Sequence, residues 1–390
     1  MVKSVEKALI VCTPGMEKEL FTELKEVWPY LLSPQAQTQS EALPEVKIIH
    51  GGIEISCDLF RAVQFNFFMK TATRVLWRIS EFKCRDFDKL YENLKRVPWG
   101  QWLKSSDIVW HVSASGTRIN HQKRIKEILN KVISETKIPK SPDSIDIYFR
   151  NFEDIVTLSV DLSGEALYKR TLNKKVGDAP FRESWAHFIL RRMMKGQSAS
   201  QLSSIHLVDP FMGSGTFLLE AATLSEPNFF RKFAFQSLVQ TPKLFKSATF
   251  FLNYKWPAPT VFGELSGVDI DPKMVQITQE NFIMDQAQFR LKQQELKVST
   301  GDALIPGSPV AEPVWLVANP PWGERLPQNM KFEDLATRLV KAWKPLKMAL
   351  IVPAKSLNPA CISETYEVQE KISLTLGGQS TELFIFQCKE

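Results

Sequence analysis

Cysteine is scarce in this chain. Five occur in 390 residues, at Cys12, Cys57, Cys84, Cys361 and Cys388, scattered and without a Cys-x-x-Cys pair. An odd, dispersed set argues against a disulfide framework and against a structural zinc site. The five histidines form no His-x-His or His-x-x-x-His pair, so a metal centre has no ligand set to draw on. Long apolar runs are missing too, and nothing approaches the length of a membrane span. The opening "MVKSVEKALIVCTPG" holds a five-residue apolar run, too short for a signal-peptide core. The expectation is a cytoplasmic, globular protein with no metal and no membrane partner. Internal repeats are absent as well, which excludes a solenoid or propeller.

Charge is present in both signs, 49 Lys and Arg against 43 Asp and Glu, and its distribution is uneven. Residues 1–60 carry five cations against nine anions, residues 61–178 twenty-two against fourteen, and residues 179–390 twenty-two against twenty. The excess lies in the middle segment, which includes "RINHQKRIKEILNK" and "KRTLNKK". Basic surface of that kind suits a phosphate backbone. The plain alternative is an ordinary solvated helix face.

The pattern changes near residue 180. Before it, "KALIVCTPGMEKEL" reads strand, turn, helix, and "SIDIYFRNFEDIVTLSVDLSG" reads as a hairpin. Residues 1–165 are an α+β region of two small units. After it, strands and helices alternate: "IHLVD", "SGTFLLEAATL", "LSGVDI", "PKMVQITQENFIMD", "LKVSTGD", "VWLVAN", "FEDLATRLVKAW" and "MALIVPA". Alternation of this kind predicts a doubly wound, mainly parallel α/β sheet, and the closing "KISLTLGG" and "ELFIFQC" add an antiparallel strand at one edge. Residues 225–262 are a Phe-rich insertion, read as a small helical cap in preference to an aromatic surface for stacking RNA bases.

Four strand ends carry the chemistry. "VDPFMGSGT" (208–216) puts Gly213 and Gly215 between a strand and a helix, the first βα turn of an open sheet, where ligands bind. It is neither a complete GxGxxG fingerprint nor a P-loop. Asp269, in "GVDIDP", stands where a carboxylate takes ribose hydroxyls. Asp302, in "TGDAL", stands where an adenine amino group can donate to it. Each aspartate alone could be a helix cap. The fourth end is "VWLVANPPW": two prolines cannot continue a buried strand, so the strand must stop at Asn319.

In order, "DPFMGSGT", "DIDP", "GDA" and "NPPW" resemble the successive motifs of Rossmann-like S-adenosylmethionine methyltransferases that modify amino groups. That resemblance implies a seven-stranded domain with S-adenosylmethionine as cofactor. It places Asp209, Pro210, Phe211, Met212, Gly213, Ser214, Gly215, Thr216, Asp269, Ile270, Asp302, Ala303 and Asn319 against the cofactor. It gives catalysis to Asn319, Pro320, Pro321 and Trp322. Asn319 and the Pro320 carbonyl accept hydrogen bonds from an exocyclic amine, while Trp322 stacks on the extruded base.

The rest of the chain narrows the resemblance. "TPGMEKEL", "FMKTATRVLWRISEFKCRDFDKLYENLKRVPW", "APFRESWAHFIL" and "NPPWGERL" together resemble the THUMP-domain guanine-N2 methyltransferases of ribosomal RNA. The N-terminal half of the bifunctional large-subunit enzyme is one of them. The implied organisation is a ferredoxin-like unit at 1–60, a THUMP-like RNA-binding domain at 61–165, a linker at 166–180 and the methyltransferase domain at 181–390. By the same resemblance Phe181 and Glu183 close over the methionine end of the cofactor; an acidic first helical turn is the plain alternative. The family's Arg-Gly-Tyr-Arg run is reduced here to Arg170, and the expectation from a chain of this length is a single catalytic domain. The implied activity is methylation of guanine N2 in ribosomal RNA. Adenine-N6 methylation of RNA or DNA, and a non-catalytic RNA-binding assembly factor, are the competing readings.

Overall fold

The computed structural model describes residues 6–32, 42–141, 143–170, 174–177, 181–229, 231–246, 261–289, 295–305, 313–322 and 330–389. The chain divides into two compact units. The first is Met1–Lys169 with Asn228–Pro257; the second is Arg170–Pro227 with Ala258–Glu390.

The first unit is built on one seven-stranded sheet. Its strands are β1 (Lys7–Val11), β2 (Val46–Ile49), β3 (Gly52–Ser56), β4 (Arg74–Lys83), β5 (Ile108–Ser115), β6 (Ile145–Phe152) and β7 (Ile155–Asp161). They lie in the order β2-β3-β1-β4-β7-β6-β5. Only the β5–β6 pair is parallel; β1 pairs with β3 and β4, β2 with β3, and β7 with β4 and β6, all antiparallel. Strands from 1–60 and from 61–165 therefore share a sheet.

Helices α1 (Glu17–Val27), α2 (Leu59–Phe68), α3 (Phe87–Lys95), a short α4 (Trp99–Trp102) and α5 (Gln122–Ser134) belong to this unit. Sequence explains where α2 and α3 begin. Asp58 accepts the Arg61 N–H at 2.8 Å, and Asp86 accepts that of Lys89 at 2.8 Å, each satisfying a donor that has no partner within its helix.

The insertion completes this unit. Phe233, Phe235 and Phe245 are buried, and their rings pack around Phe67 at centroid distances of 5.2, 5.9 and 5.8 Å. Backbone bonds fix the arrangement: Asn228 donates to Phe67, Phe235 to Leu162 and Val239 to Trp102. The Arg231 guanidinium donates to the carbonyls of Glu165, Ala166 and Lys169. The expected helical cap is thus corrected in two respects. Its described part holds 3-10 turns at Ala234–Ser237 and Lys243–Lys246, and its aromatic side chains fill the core of the first unit. Residues 247–260 lie outside the described residues.

The second unit carries the alternating pattern. Helices α6 (Glu183–Met194) and α7 (Ala199–Leu202) lead into β8 (His206–Asp209), α8 (Thr216–Ala222), β9 (Glu264–Asp269), α9 (Pro272–Phe289), β10 (Leu296–Thr300) and β11 (Val314–Ala318). Then come α10 (Phe332–Trp343), β12 (Lys347–Pro353), β13 (Tyr366–Leu376) and β14 (Gln379–Cys388). The order is β10-β9-β8-β11-β12-β14-β13. β8 to β12 are parallel, and β14 runs antiparallel between β12 and β13. The predicted Rossmann-like sheet is present, with the antiparallel strand next to the edge. β11 is apolar and fully buried because helices cover both faces of such a sheet. Among the described residues no helix is long and apolar enough to cross a membrane.

Candidate functional site

Chain direction reverses between β8 and β11. From β8 the chain builds outward through β9 to β10, then returns to place β11 on the other side of β8. The crevice at such a switch point, at the carboxyl ends of the strands, is where open α/β sheets bind ligands. Asp209 ends β8 and Asp269 ends β9. Asp302 follows β10, and Asn319 follows β11. Strand order puts these ends side by side as Asp302, Asp269, Asp209, Asn319. The sequence named all four, and the sheet brings them to one edge.

The turn after β8 is held from below. Gly215 has φ +80°, and a Cβ there would sit 2.6 Å from the Thr278 side chain, so only glycine fits. Thr278 donates to the Gly213 carbonyl at 2.9 Å, and Asn281 Nδ2 to the Ser214 carbonyl at 3.1 Å. Both side chains come from α9 and are completely buried. Neither belongs to a sequence motif. Their signal was a polar stripe at helical spacing, Thr278, Asn281 and Asp285, on a helix whose neighbouring face is apolar. Gly267 lets Met212 and Leu218 approach β9; a Cβ there would meet the Met212 sulfur at 2.5 Å.

The two central aspartates differ sharply. Asp209 is 1% exposed and accepts the Phe211 N–H at 3.1 Å. Burial pushes its carboxyl up to about 8, with the neighbouring charge of Asp269 adding to the shift. Asp269 is only half-buried. Its oxygens accept the Gly213 N–H and the Asp271 N–H, both at 2.9 Å. Each oxygen keeps a lone pair, so the carboxylate fixes the glycine turn and can still accept from a ligand hydroxyl. Beside it Ile270 is 78% exposed, an apolar side chain open to solvent at the strand end.

The remaining predicted residues fall into two groups. Pro210, Met212, Ser214 and Thr216 are buried in the turn, with Phe211 partly so. Asp302 is exposed and accepts the Leu304 N–H at 2.9 Å, while Ala303 is buried and its carbonyl accepts the Trp343 indole N–H at 2.9 Å. At Asn319 the strand has ended, as the prolines require. Its Oδ1 is buried with no hydrogen-bond partner among the described residues, and the same holds for Nε1 of Trp322. An unpaired buried acceptor costs about 1–3 kcal/mol, so it marks a place where a ligand group can supply the missing bond. Residues 323–329, which include the rest of "NPPWGERL", lie outside the described residues.

The basic segment separates into two kinds of cation. In "KRTLNKK" and its flank the charges are spoken for: Lys169 pairs with Glu165, Arg170 with Glu220, Lys174 with Glu183 and Lys175 with Glu280, at 2.7–2.8 Å. Arg170 is buried. This run is therefore not the free basic surface the charge count suggested. The α3–α5 pair is different. Lys89, Lys95, Lys123, Arg124, Lys126 and Lys131 are exposed on it. Arg124 lies over the Phe87 ring at 4.1 Å, and Lys95 and Lys131 lie over Tyr91 at 5.1 and 4.7 Å.

The fold matches solved structures across almost the whole chain. A possible methylase from Clostridium difficile 630 aligns with TM-score 0.74 at 23% identity, covering 99% of this chain and 98% of that one. A predicted N6-adenine-specific DNA methylase from Listeria monocytogenes aligns with TM-score 0.74 at 20% identity, over 99% and 97%. At those identities the likeness is one of fold. Among sequence relatives, the ribosomal RNA large subunit methyltransferase K/L of Marinomonas sp. is 26% identical over 356 residues, 85% of this chain and 45% of that protein. The putative RNA methyltransferase YpsC of Bacillus subtilis is 27% identical over 327 residues, 77% of this chain and 79% of that one. The chain spans about half the length of the K/L relatives it matches. Residues 170–380, more than half the chain, match a single family, and the protein belongs to it: UPF0020, the RMKL-like methyltransferase domain.

Proposed function

We propose that this chain is an S-adenosylmethionine-dependent RNA methyltransferase of the cytoplasm that modifies the exocyclic N2 of a guanine in large-subunit ribosomal RNA. The observation that carries the reading is the buried Oδ1 of Asn319, without a hydrogen-bond partner among the described residues, at the switch point of the sheet. When bound, S-adenosylmethionine supplies an electrophilic methyl group on a sulfonium. The residues present fit it. Asp269 has acceptor capacity for ribose hydroxyls, Ile270 offers an exposed apolar side chain to a purine, and Asp302 is exposed where an adenine amine can donate.

Asn319 Oδ1 and the Pro320 carbonyl then accept the two N–H groups of the target amine and direct its lone pair. The prolines hold those acceptors without a backbone donor to compete for them. Trp322 stacks on the flipped base. A neutral amine needs no strong base to attack a cationic centre, so the chain contributes positioning and electrostatics.

RNA as substrate is supported by the names of the K/L and YpsC relatives and by the exposed cations of α3 and α5. The first unit is read as the ferredoxin-like and THUMP-like RNA-binding region. The choice of guanine N2 over adenine N6 rests on the whole-chain resemblance, because both amines satisfy Asn319 equally.

The test is transfer of label from methyl-tritiated S-adenosylmethionine into unmodified large-subunit rRNA. Wild type should transfer; Asn319→Ala should fall about 10²–10³-fold in turnover while cofactor affinity stays near wild type. Undiminished transfer by Asn319→Ala would remove Asn319 from the chemistry.

A further inference from the structure

Four residues other than glycine have positive φ among the described residues: Glu153, Asp154, Lys344 and Lys355. The first three have ordinary reasons. Glu153 and Asp154 form the two-residue loop between β6 and β7, and Lys344 ends α10; both places favour the left-handed region. Lys355, at φ +65°, lies just beyond the end of β12 at Pro353. Ser356 donates its N–H to the Pro353 carbonyl at 3.1 Å, which makes Lys355 the third residue of a β-turn. With positive φ, that position favours glycine or asparagine.

The turn is fastened from several sides. The Ser356 hydroxyl donates to the same Pro353 carbonyl at 2.7 Å, and Ala354 donates its N–H to the Ser380 carbonyl at 3.0 Å. Glu382 Oε2 accepts the Lys355 N–H at 3.2 Å, while its Oε1 pairs with Lys371 at 2.9 Å. A lysine is thus held in a conformation that glycine adopts without strain. Residues held against their preference in this way cluster at functional sites. The Lys355 side chain is exposed, and its ammonium forms no hydrogen bond or ion pair with a described residue. Its place in the sheet gives it a use. β12 runs parallel beside β11 with Ala318 level with Leu350, which brings Asn319 level with Ile351. The turn therefore stands at the same edge as Asn319, on the side away from Asp209, Asp269 and Asp302. Strand spacing and rise put Lys355 on the order of 10–15 Å from Asn319.

We propose that Lys355 binds a backbone phosphate of the RNA strand beside the target nucleotide. This rests on the RNA reading above and adds a substrate contact outside every motif, on the second unit itself. An ammonium acts on a phosphate as a point charge, so one lysine on a rigid turn fixes the strand's position without reading its sequence. The cofactor half of the edge lies on the other side of Asn319, so the contact serves the RNA alone.

Glycine at this position pulls stability and function in opposite directions, which separates the proposal from a role in folding. Lys355→Gly relieves the left-handed strain and should melt at or above the wild-type temperature. Initial rates of methyl transfer to unmodified large-subunit rRNA should nevertheless show the KM for RNA raised about three- to tenfold. The slope of log KM against log salt should fall by about 0.7–1, as for the loss of one phosphate contact. The affinity for S-adenosylhomocysteine, by calorimetry on the full chain, should not change. Lys355→Arg keeps the cation and should hold KM near wild type. Lys355→Asn also tolerates positive φ and carries the same test should the glycine variant be unstable. An unchanged KM and salt slope overturns the proposal, and so does weakening of S-adenosylhomocysteine in step with the RNA. A wild type that shows no salt-dependent binding of rRNA would instead refute the RNA reading on which the proposal rests.

Discussion

The first unit's sheet is antiparallel except for one pair of strands, whereas the second unit runs five consecutive strands parallel. That difference decides where each can carry function. In a parallel sheet every strand ends at the same edge, so Asp302, Asp269, Asp209 and Asn319, far apart in sequence, become neighbours. An antiparallel sheet alternates its ends and gathers nothing at one edge. Its unit instead exposes cations on the faces of α3 and α5, the surface we propose for RNA. The two also differ in how they close their cores. The second unit buries apolar strands between helices, and the first borrows phenylalanines from an insertion in the other half of the sequence.

The largest expected effect breaks that borrowing. Phe235→Ala removes a fully buried ring from the cluster around Phe67 and should cost the first unit about 3–5 kcal/mol. Thermal melts of the full chain should show one transition moved down, with RNA binding weakened and S-adenosylmethionine affinity unchanged. Loss of cofactor affinity with RNA binding intact would assign the insertion to the wrong unit.

A smaller effect tests the buried edge of the second unit. With its carboxyl raised to about 8, folded Asp209 holds a proton that the unfolded chain releases above about pH 4. The unfolded state then binds fewer protons, so this group's contribution to stability falls as pH rises from about 4 to about 8 and is flat beyond. Asp209→Asn cannot titrate and can still accept from Phe211. It should match wild type near pH 4.5 and exceed it at pH 8 by up to a few kcal/mol. Denaturant melts at the two pH values showing a constant difference would contradict the assignment.

Asp269→Ala should be smaller still in stability but specific in binding. It loses the acceptor for Gly213 and any ligand hydroxyl, a cost of about 1.5–3 kcal/mol for each charge-assisted bond. Calorimetry with S-adenosylmethionine should register the loss, and RNA affinity measured on the same sample should not change. Unaltered cofactor affinity would take Asp269 out of the site.

Much of the site was legible because its signals are local. Two prolines after Asn319 stop a strand wherever they occur, and a Gly-x-Gly between a strand and a helix is a turn before any tertiary structure exists. What was not legible depends on which elements meet. Nothing in the spelling of α9 says that Thr278 and Asn281 reach under the glycine turn, although their spacing shows a buried polar stripe. The insertion advertised its phenylalanines but not the core they fill, since hydrophobicity names no partner. The basic run at 169–175 looked like free surface because its acidic partners, Glu165, Glu183, Glu220 and Glu280, all lie outside that run. The difference between Asp209 and Asp269 arises from burial, which a residue type at a strand end does not specify.

The measurement that bears most directly on the account is mass spectrometry of nucleosides from large-subunit rRNA treated with this protein and S-adenosylmethionine. The account predicts N2-methylguanosine, present with wild type and absent with Asn319→Ala. N6-methyladenosine in its place would overturn the choice of base. No methylated nucleoside at all, from a folded protein that binds the cofactor and the RNA, would contradict the central claim.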